Sequence, residues 1–238
     1  MKMRILNLLC ASLVLSAGAA SADTVAYWAF NDQALPGGGF GWETSDLPQA
    51  ADIGAGSLSV DLGDPTDVGG VFEYLQSFSG TSINDLSGTT GGSIAIQNAP
   101  NGGNNGSSIL LDVDLSLFSD ISISWAQRGT GTGFTSRELS YSTDGGATFT
   151  SFGFDGNLGS FGYDPISFDL SSVTALNGAA DAVLAITVDG GSLTSTSGNN
   201  RFDNILVSGT LIPEPGSAML VLMGLAGAGA VSMRSRLG

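Results

Sequence analysis

Between Asp23 and Ile212 the chain alternates apolar and polar positions in short runs broken by Gly, Asn, Ser and Asp. Ser57–Leu62, Leu111–Leu115, Ile121–Trp125 and Ile166–Leu170 alternate with period two, which places one side of each strand in a core and the other in water. Leu184–Val188 and Ile205–Val207 are fuller apolar strands. No stretch has helical periodicity with caps, apart from a turn near Ala175–Ala180. Asn98–Ser108 and Gly129–Gly133 are rich in residues that tolerate positive φ and are expected to be loops within one domain. Many short strands separated by turn signals predict an all-β fold, an antiparallel two-sheet sandwich of jelly-roll type. No repeat of fixed period argues for a propeller or β-helix.

Two terminal segments depart from this pattern. Lys2 and Arg4 precede an apolar run, Ile5–Val14, and Ala20-Ser21-Ala22 is a small-x-small cleavage site, so 1–22 is expected to be a helical signal peptide. At the other end, Pro213-Glu214-Pro215 leads into an apolar run over 217–233, followed by Arg234 and Arg236. The prolines separate the preceding strand from a following helix. A helix over 217–233 would span about 25 Å at ~1.5 Å per residue, close to the ~30 Å hydrocarbon core, with the arginines on the cytoplasmic side. The folded unit is therefore expected over 23–212, which is long enough for one domain with a sizeable core.

Composition narrows the chemistry of that unit. The chain has no His, and its single Cys, Cys10, lies in the leader. This excludes Ser-His-Asp and Cys-His nucleophile systems and zinc held by His or Cys. The net charge is −15, and Arg128, Arg137 and Arg201 are the only cations between Asp23 and Ile212. Such a surface repels nucleic acid. Carboxylate chemistry remains, as calcium ligation or as paired acids for glycosidic bonds. No pair of acids stands out for the latter. Asp61/Asp64/Asp67 and Asp112/Asp114 read as turn and outer-face acids.

The tail resembles the PEP-CTERM sorting signal, carried by Pro213, Glu214, Pro215, the apolar segment, Arg234 and Arg236. That resemblance implies an exported bacterial protein, held in the membrane by its C-terminal helix until an exosortase-type enzyme processes it. Its destination would be the cell surface or extracellular matrix. Tyr141–Phe149 resembles the Asp-box of sialidases and other secreted β proteins, a structural hairpin built on Ser142, Asp144, Gly145, Gly146, Thr148 and Phe149. The opening Ala26–Asn31 and the closing Gly198–Gly209 resemble exported PEP-CTERM proteins with a laminin-G-like or MAM-like jelly roll, in which the first strand pairs with the last.

In some such jelly rolls these two strands hold calcium, and Asp203, Asn204, Asn31 and Asp32 are the positions that carry over. Arg201 beside Asp203 also suggests an ion pair closing the sandwich. The function expected is non-catalytic contact with exopolysaccharide, with Trp42 and Tyr163 as aromatics for sugar stacking. The alternatives are a calcium-assisted, self-associating surface protein and a carboxylate-only glycan hydrolase or lyase.

Overall fold

The computed structural model describes residues 22–31, 40–155 and 162–213. The helices expected over 1–22 and 217–233 lie outside the described residues, as do Asp32, Glu214, Pro215, Arg234 and Arg236. Among the described residues no helix is long and apolar enough to cross a membrane.

The alternating runs form two antiparallel sheets packed face to face, as the sequence predicts. The larger sheet has eight strands. Six lie side by side in the order β12 (Asp164–Asp169), β9 (Phe118–Gly129), β14 (Asn199–Leu211), β7 (Gly92–Gln97), β6 (Val71–Ser79) and β2 (Phe40–Glu43). Strand β1 (Asp23–Trp28) pairs with β14 and with the short β4 (Ile53–Gly54). The six-stranded sheet runs β11 (Thr150–Asp155), β10 (Ser136–Ser142), β13 (Ala182–Asp189), β8 (Ser108–Val113), β5 (Ser57–Asp61) and β3 (Gln49–Ala50). The turn expected near Ala175 is a single 3₁₀ turn, Thr174–Leu176.

Alternation decides which side chains enter the core. Leu58, Ile109, Leu111, Leu184 and Ile186 of the smaller sheet meet Trp28, Ile94, Ile96, Trp125, Phe202 and Ile205 of the larger. Each buried aromatic removes on the order of 150–250 Å² from water, which is how the sandwich holds without a disulfide. Trp42 belongs to this core. It is 1 % exposed, its Nε1 donates to the Gln76 carbonyl, and its ring meets Phe30 edge-on. Its expected role as an exposed stacking platform is corrected on that ground: β2 carries it inward.

Strand β14 organises the larger sheet. Strand β9 pairs along one edge of it, whereas the other edge is shared. Its first part, Asn199–Phe202, pairs with β7, and its later part, Ile205–Gly209, pairs with β1. The expected pairing of first and last strands is present. Asp203 and Asn204 sit at the handover from β7 to β1, where the register against β9 shifts and Asn204 takes φ 52°. Asn tolerates that left-handed conformation better than most residues, because its short polar side chain bonds locally.

Candidate functional site

The bulge at Asp203–Asn204 turns polar side chains onto the outer face, where they fasten the loop joining β6 to β7. Asp203 Oδ2 accepts the Thr81 N–H at 2.6 Å and Oδ1 accepts the Asn204 N–H at 2.8 Å. Asn204 Nδ2 donates to the carbonyls of Thr81 and Ile83, both at 2.8 Å. Its Oδ1 accepts the Tyr27 hydroxyl at 2.7 Å, and Tyr27 Oη in turn accepts the Leu86 N–H at 3.0 Å. The anchor leaves no room near Gly80, where an added Cβ would stand 2.4 Å from Asp203 Oδ2.

Burial dominates the electrostatics of this anchor. Asp203 is 1 % exposed, and burial pushes its carboxyl up to about 7, with the two N–H bonds pulling it partly back down. Burial likewise pushes the Tyr27 hydroxyl up to about 12. Asp85, on the loop's outer side, is held below the usual carboxylate range, chiefly by the Ser87 hydroxyl.

The calcium positions expected from sequence are only partly brought together. Asn31 Nδ2 donates to Ser87 Oγ at 2.7 Å and to the Thr89 carbonyl at 2.5 Å, further along the same loop. A calcium ion takes six to eight oxygens. Here a cation would have to share both Asp203 oxygens with N–H donors that repel it, and Asn204 turns its amide nitrogen to the loop carbonyls. The geometry of Asp203 and Asn204 thus fits hydrogen bonding and does not fit a calcium shell. Among the described residues no three His, Cys, Asp or Glu side chains gather as a metal-holding group. Asp64, Asp67 and Asp114 each cap a turn by accepting a nearby backbone N–H.

Beside the anchor lies the outer face of the larger sheet. Leu75, Ile94, Ile96, Phe202 and Trp125 point into the core, so Gln76, Phe78, Ala95, Arg201 and Arg128 point out. The register sets one row across four strands: Gln76 on β6, Ala95 on β7, Arg201 on β14 and Arg128 on β9. Ala95 is small enough to let Arg201 lean across β7 and lie over the Phe78 ring, 3.8 Å from its centroid. Arg201 Nε donates to Asn199 Oδ1 at 3.1 Å. These contacts replace the ion pair with Asp203 expected from sequence. Burial, then the charge of Arg128, holds the Arg201 guanidinium below the ordinary arginine range.

Tyr163, just before β12, is half-buried at this face and donates from its hydroxyl to the Ser79 carbonyl at 2.9 Å. Burial raises its pKa, and Asp203, Arg201 and Arg128 all act on it electrostatically. Of the two aromatics singled out from sequence, only Tyr163 therefore reaches an outer face. Phe78, Gln76 and the arginine row were missed. Alternation gives no signal for them, because Tyr74-Leu75-Gln76-Ser77-Phe78 runs apolar, apolar, polar, polar, apolar and puts an aromatic on the same face as Gln76.

On the other sheet, the turn between β10 and β11 has the expected structural form. Ser142 Oγ donates to Asp144 Oδ1 at 2.6 Å, and Thr148 donates to Asp144 through both its N–H (2.9 Å) and its hydroxyl (2.6 Å). Gly145 and Gly146 supply the φ values of 70° and 86° that the turn requires. Phe149 lies against the turn, its ring 3.7 Å from where a Cβ on Gly146 would stand, with 43 % of its surface exposed. The Ser142 hydroxyl, followed by the Thr148 hydroxyl, holds the Asp144 carboxyl down at about 2. Such a group stabilises the fold above the unfolded carboxylate pKa and loses that contribution as pH falls through about 2. Asp144→Asn is expected to lower the melting temperature at pH 5, with the deficit shrinking toward pH 2. A deficit that stays constant across this range would show that the charge plays no part.

Fold and site together define an antiparallel two-sheet sandwich with a polar, aromatic-edged outer face and a loop pinned to it. No protein-family model matches the chain, and no curated protein matches it. Among solved structures it is similar to the K2 cleaved adhesin domain of Lys-gingipain, at 11 % identity over 71 % of this chain and 96 % of that one, TM-score 0.43. It is also similar to TmCBM61 in complex with β-1,4-galactotriose, at 10 % identity over 63 % and 86 %, TM-score 0.39. A third is a xylan-binding module, CBM15, at 10 % identity over 65 % and 99 %, TM-score 0.38. Likenesses this distant do not bear on what this chain binds, and its own residues must carry the functional reading.

Proposed function

We propose that this chain is an exported, non-catalytic surface protein whose sandwich contacts exopolysaccharide through the outer face of its larger sheet. The carrying observation is that face: Phe78, Gln76, Arg201 and Arg128 on neighbouring strands, with Tyr163 just before β12, all half-buried. Planar aromatic and guanidinium or amide groups suit a sugar, which offers C–H faces for stacking and hydroxyls for hydrogen bonding. A composition without His, and without Cys beyond the leader, supports a non-catalytic role. The leader over 1–22 and the Pro213-Glu214-Pro215 tail support export. On this reading an exosortase-type enzyme releases the protein from its membrane helix.

The test is co-sedimentation of the purified protein with the producing organism's own exopolysaccharide, in calcium and in EDTA. Retention in both buffers, with polymer viscosity unchanged, is the expected result. Falling viscosity would instead make the protein a hydrolase or lyase. Failure to sediment, with an oligomer size that changes with calcium, would replace glycan contact by self-association.

A further inference from the structure

The outer face holds a charge arrangement that ordinary packing does not explain. Arg201 and Arg128 are direct cross-strand partners on β14 and β9, on the same face. Like charges opposed in this way destabilise a sheet. They are two of the three cations in the folded unit, in a chain of net charge −15. The third, Arg137, is turned inward, with Nη1 donating to Gln127 Oε1 at 3.0 Å and its guanidinium 5.8 Å from the Trp125 centroid. With 22 acidic residues in the chain, an ion-pair partner for Arg128 would be easy to supply. Yet among the described residues Arg128 has none, and its Nε is buried without a hydrogen-bond partner. Arg201 spends one N–H on Asn199 and its π-face on Phe78, which leaves the guanidinium edge free to bind. Asp203 is occupied by two backbone N–H groups.

From this arrangement we infer that Arg128 and Arg201 form a binding site for the carboxylate of an acidic, uronate-type sugar, with Phe78 and Tyr163 bordering the ring. The inference rests on the polysaccharide-binding reading and specifies its substrate class. A guanidinium matches a carboxylate in a planar, bidentate way, and an anion bound near two of them offsets their mutual repulsion. Aromatic edges beside the pair suit a sugar better than a bare ion. The acidic remainder of the surface sets the selectivity. A uronate polymer spaces its charges a whole sugar apart and can place one carboxylate on the pair, whereas a nucleic acid, with a charge every ~1.7 Å of duplex, is repelled along its length.

The test uses the full chain with polygalacturonate and with the same polymer after its carboxylates are reduced to alcohols. The acidic polymer is expected to bind about tenfold or more tightly than the reduced one, as for loss of a charge-assisted bond. Arg128→Gln is expected to erase that preference while melting at or above the wild-type temperature, because it removes an opposed charge. Arg201→Lys keeps the charge but loses the fork, and is expected to weaken the preference while remaining folded. Free galacturonate should raise the wild-type melting temperature and leave that of Arg128→Gln unchanged.

Equal binding of the two polymers, or an acidic preference that survives in both arginine variants, would overturn the carboxylate site and leave glycan contact standing. Protection by inorganic phosphate without binding of polygalacturonate would reassign the pair to a phosphate. Failure with both polymers, by protein that still sediments with native exopolysaccharide, overturns this inference alone. Loss of that sedimentation as well removes the reading beneath it.

Discussion

The melting temperature of the purified protein is expected to fall as pH rises from about 4 to about 7, and Asp203→Asn to remove most of that fall. Asp203 carries a folded pKa of about 7 against an ordinary 3.8, raised by burial. Between these values the folded protein holds a proton that the unfolded chain has released, so stability is greatest below the unfolded pKa and declines until the folded pKa is passed. At ~1.36 kcal/mol per unit the full span is on the order of 4 kcal/mol, an upper limit for one buried carboxyl. Acids such as Asp144 and Asp85, held below their ordinary range, act in the opposite sense and at lower pH. The wild-type-minus-variant difference therefore isolates Asp203. Asn retains an acceptor for the Thr81 N–H but sets an amide against the Asn204 N–H, a cost independent of pH. The measurement is a set of thermal melts from pH 4 to 8. Parallel curves for wild type and variant would mean that Asp203 is ionised in the fold throughout.

Asn204→Ala is expected to cost about 3–5 kcal/mol, among the largest losses any single polar residue here could produce. The substitution removes the donor to the Thr81 and Ile83 carbonyls and the acceptor for the Tyr27 hydroxyl. Each buried group left unpaired costs about 1–3 kcal/mol. Alanine must also adopt φ near 52°, which a left-handed non-glycine residue resists by a further ~1 kcal/mol. Chemical denaturation gives the stability change, and hydrogen exchange locates it. Amides of Thr81 and Leu86 should lose protection along with those at the β14 bulge. A loss under ~1 kcal/mol, or protection retained in the loop, would show that the bulge does not hold the loop.

The outer-face residues and the anchor differ in how far the sequence reveals them. Arg201-Phe202-Asp203-Asn204 stands out in the chain as polar groups inside an apolar strand, and the expectation of calcium there comes from the resemblance of this closing strand to jelly rolls that hold calcium. The chemistry expected there changed once the neighbours were known. Tyr27 and Asn204 are 177 residues apart, and a loop bonded to both occupies the donors and acceptors that a cation would need. Trp42 illustrates the same point in reverse, because an aromatic directly after a glycine-rich stretch can face either way until its strand is paired.

What the sequence by itself determined was local: the period-two alternation, the turn at Asp144-Gly145-Gly146, the terminal segments, and a composition barren of His-based and Cys-based catalysis. These depend on residues within a few positions of one another, where sterics and burial act directly on the pattern. The meeting of Arg128 with Arg201, the reach of Arg201 over Ala95 to Phe78, and the sharing of one edge of β14 between β7 and β1 were decided only by tertiary structure. Alternation says which face a residue takes and is silent about which strand lies beside it. Strand order and register are set by packing the whole apolar complement of both sheets at once, and a shift of two residues would preserve every inward side chain while separating the two arginines.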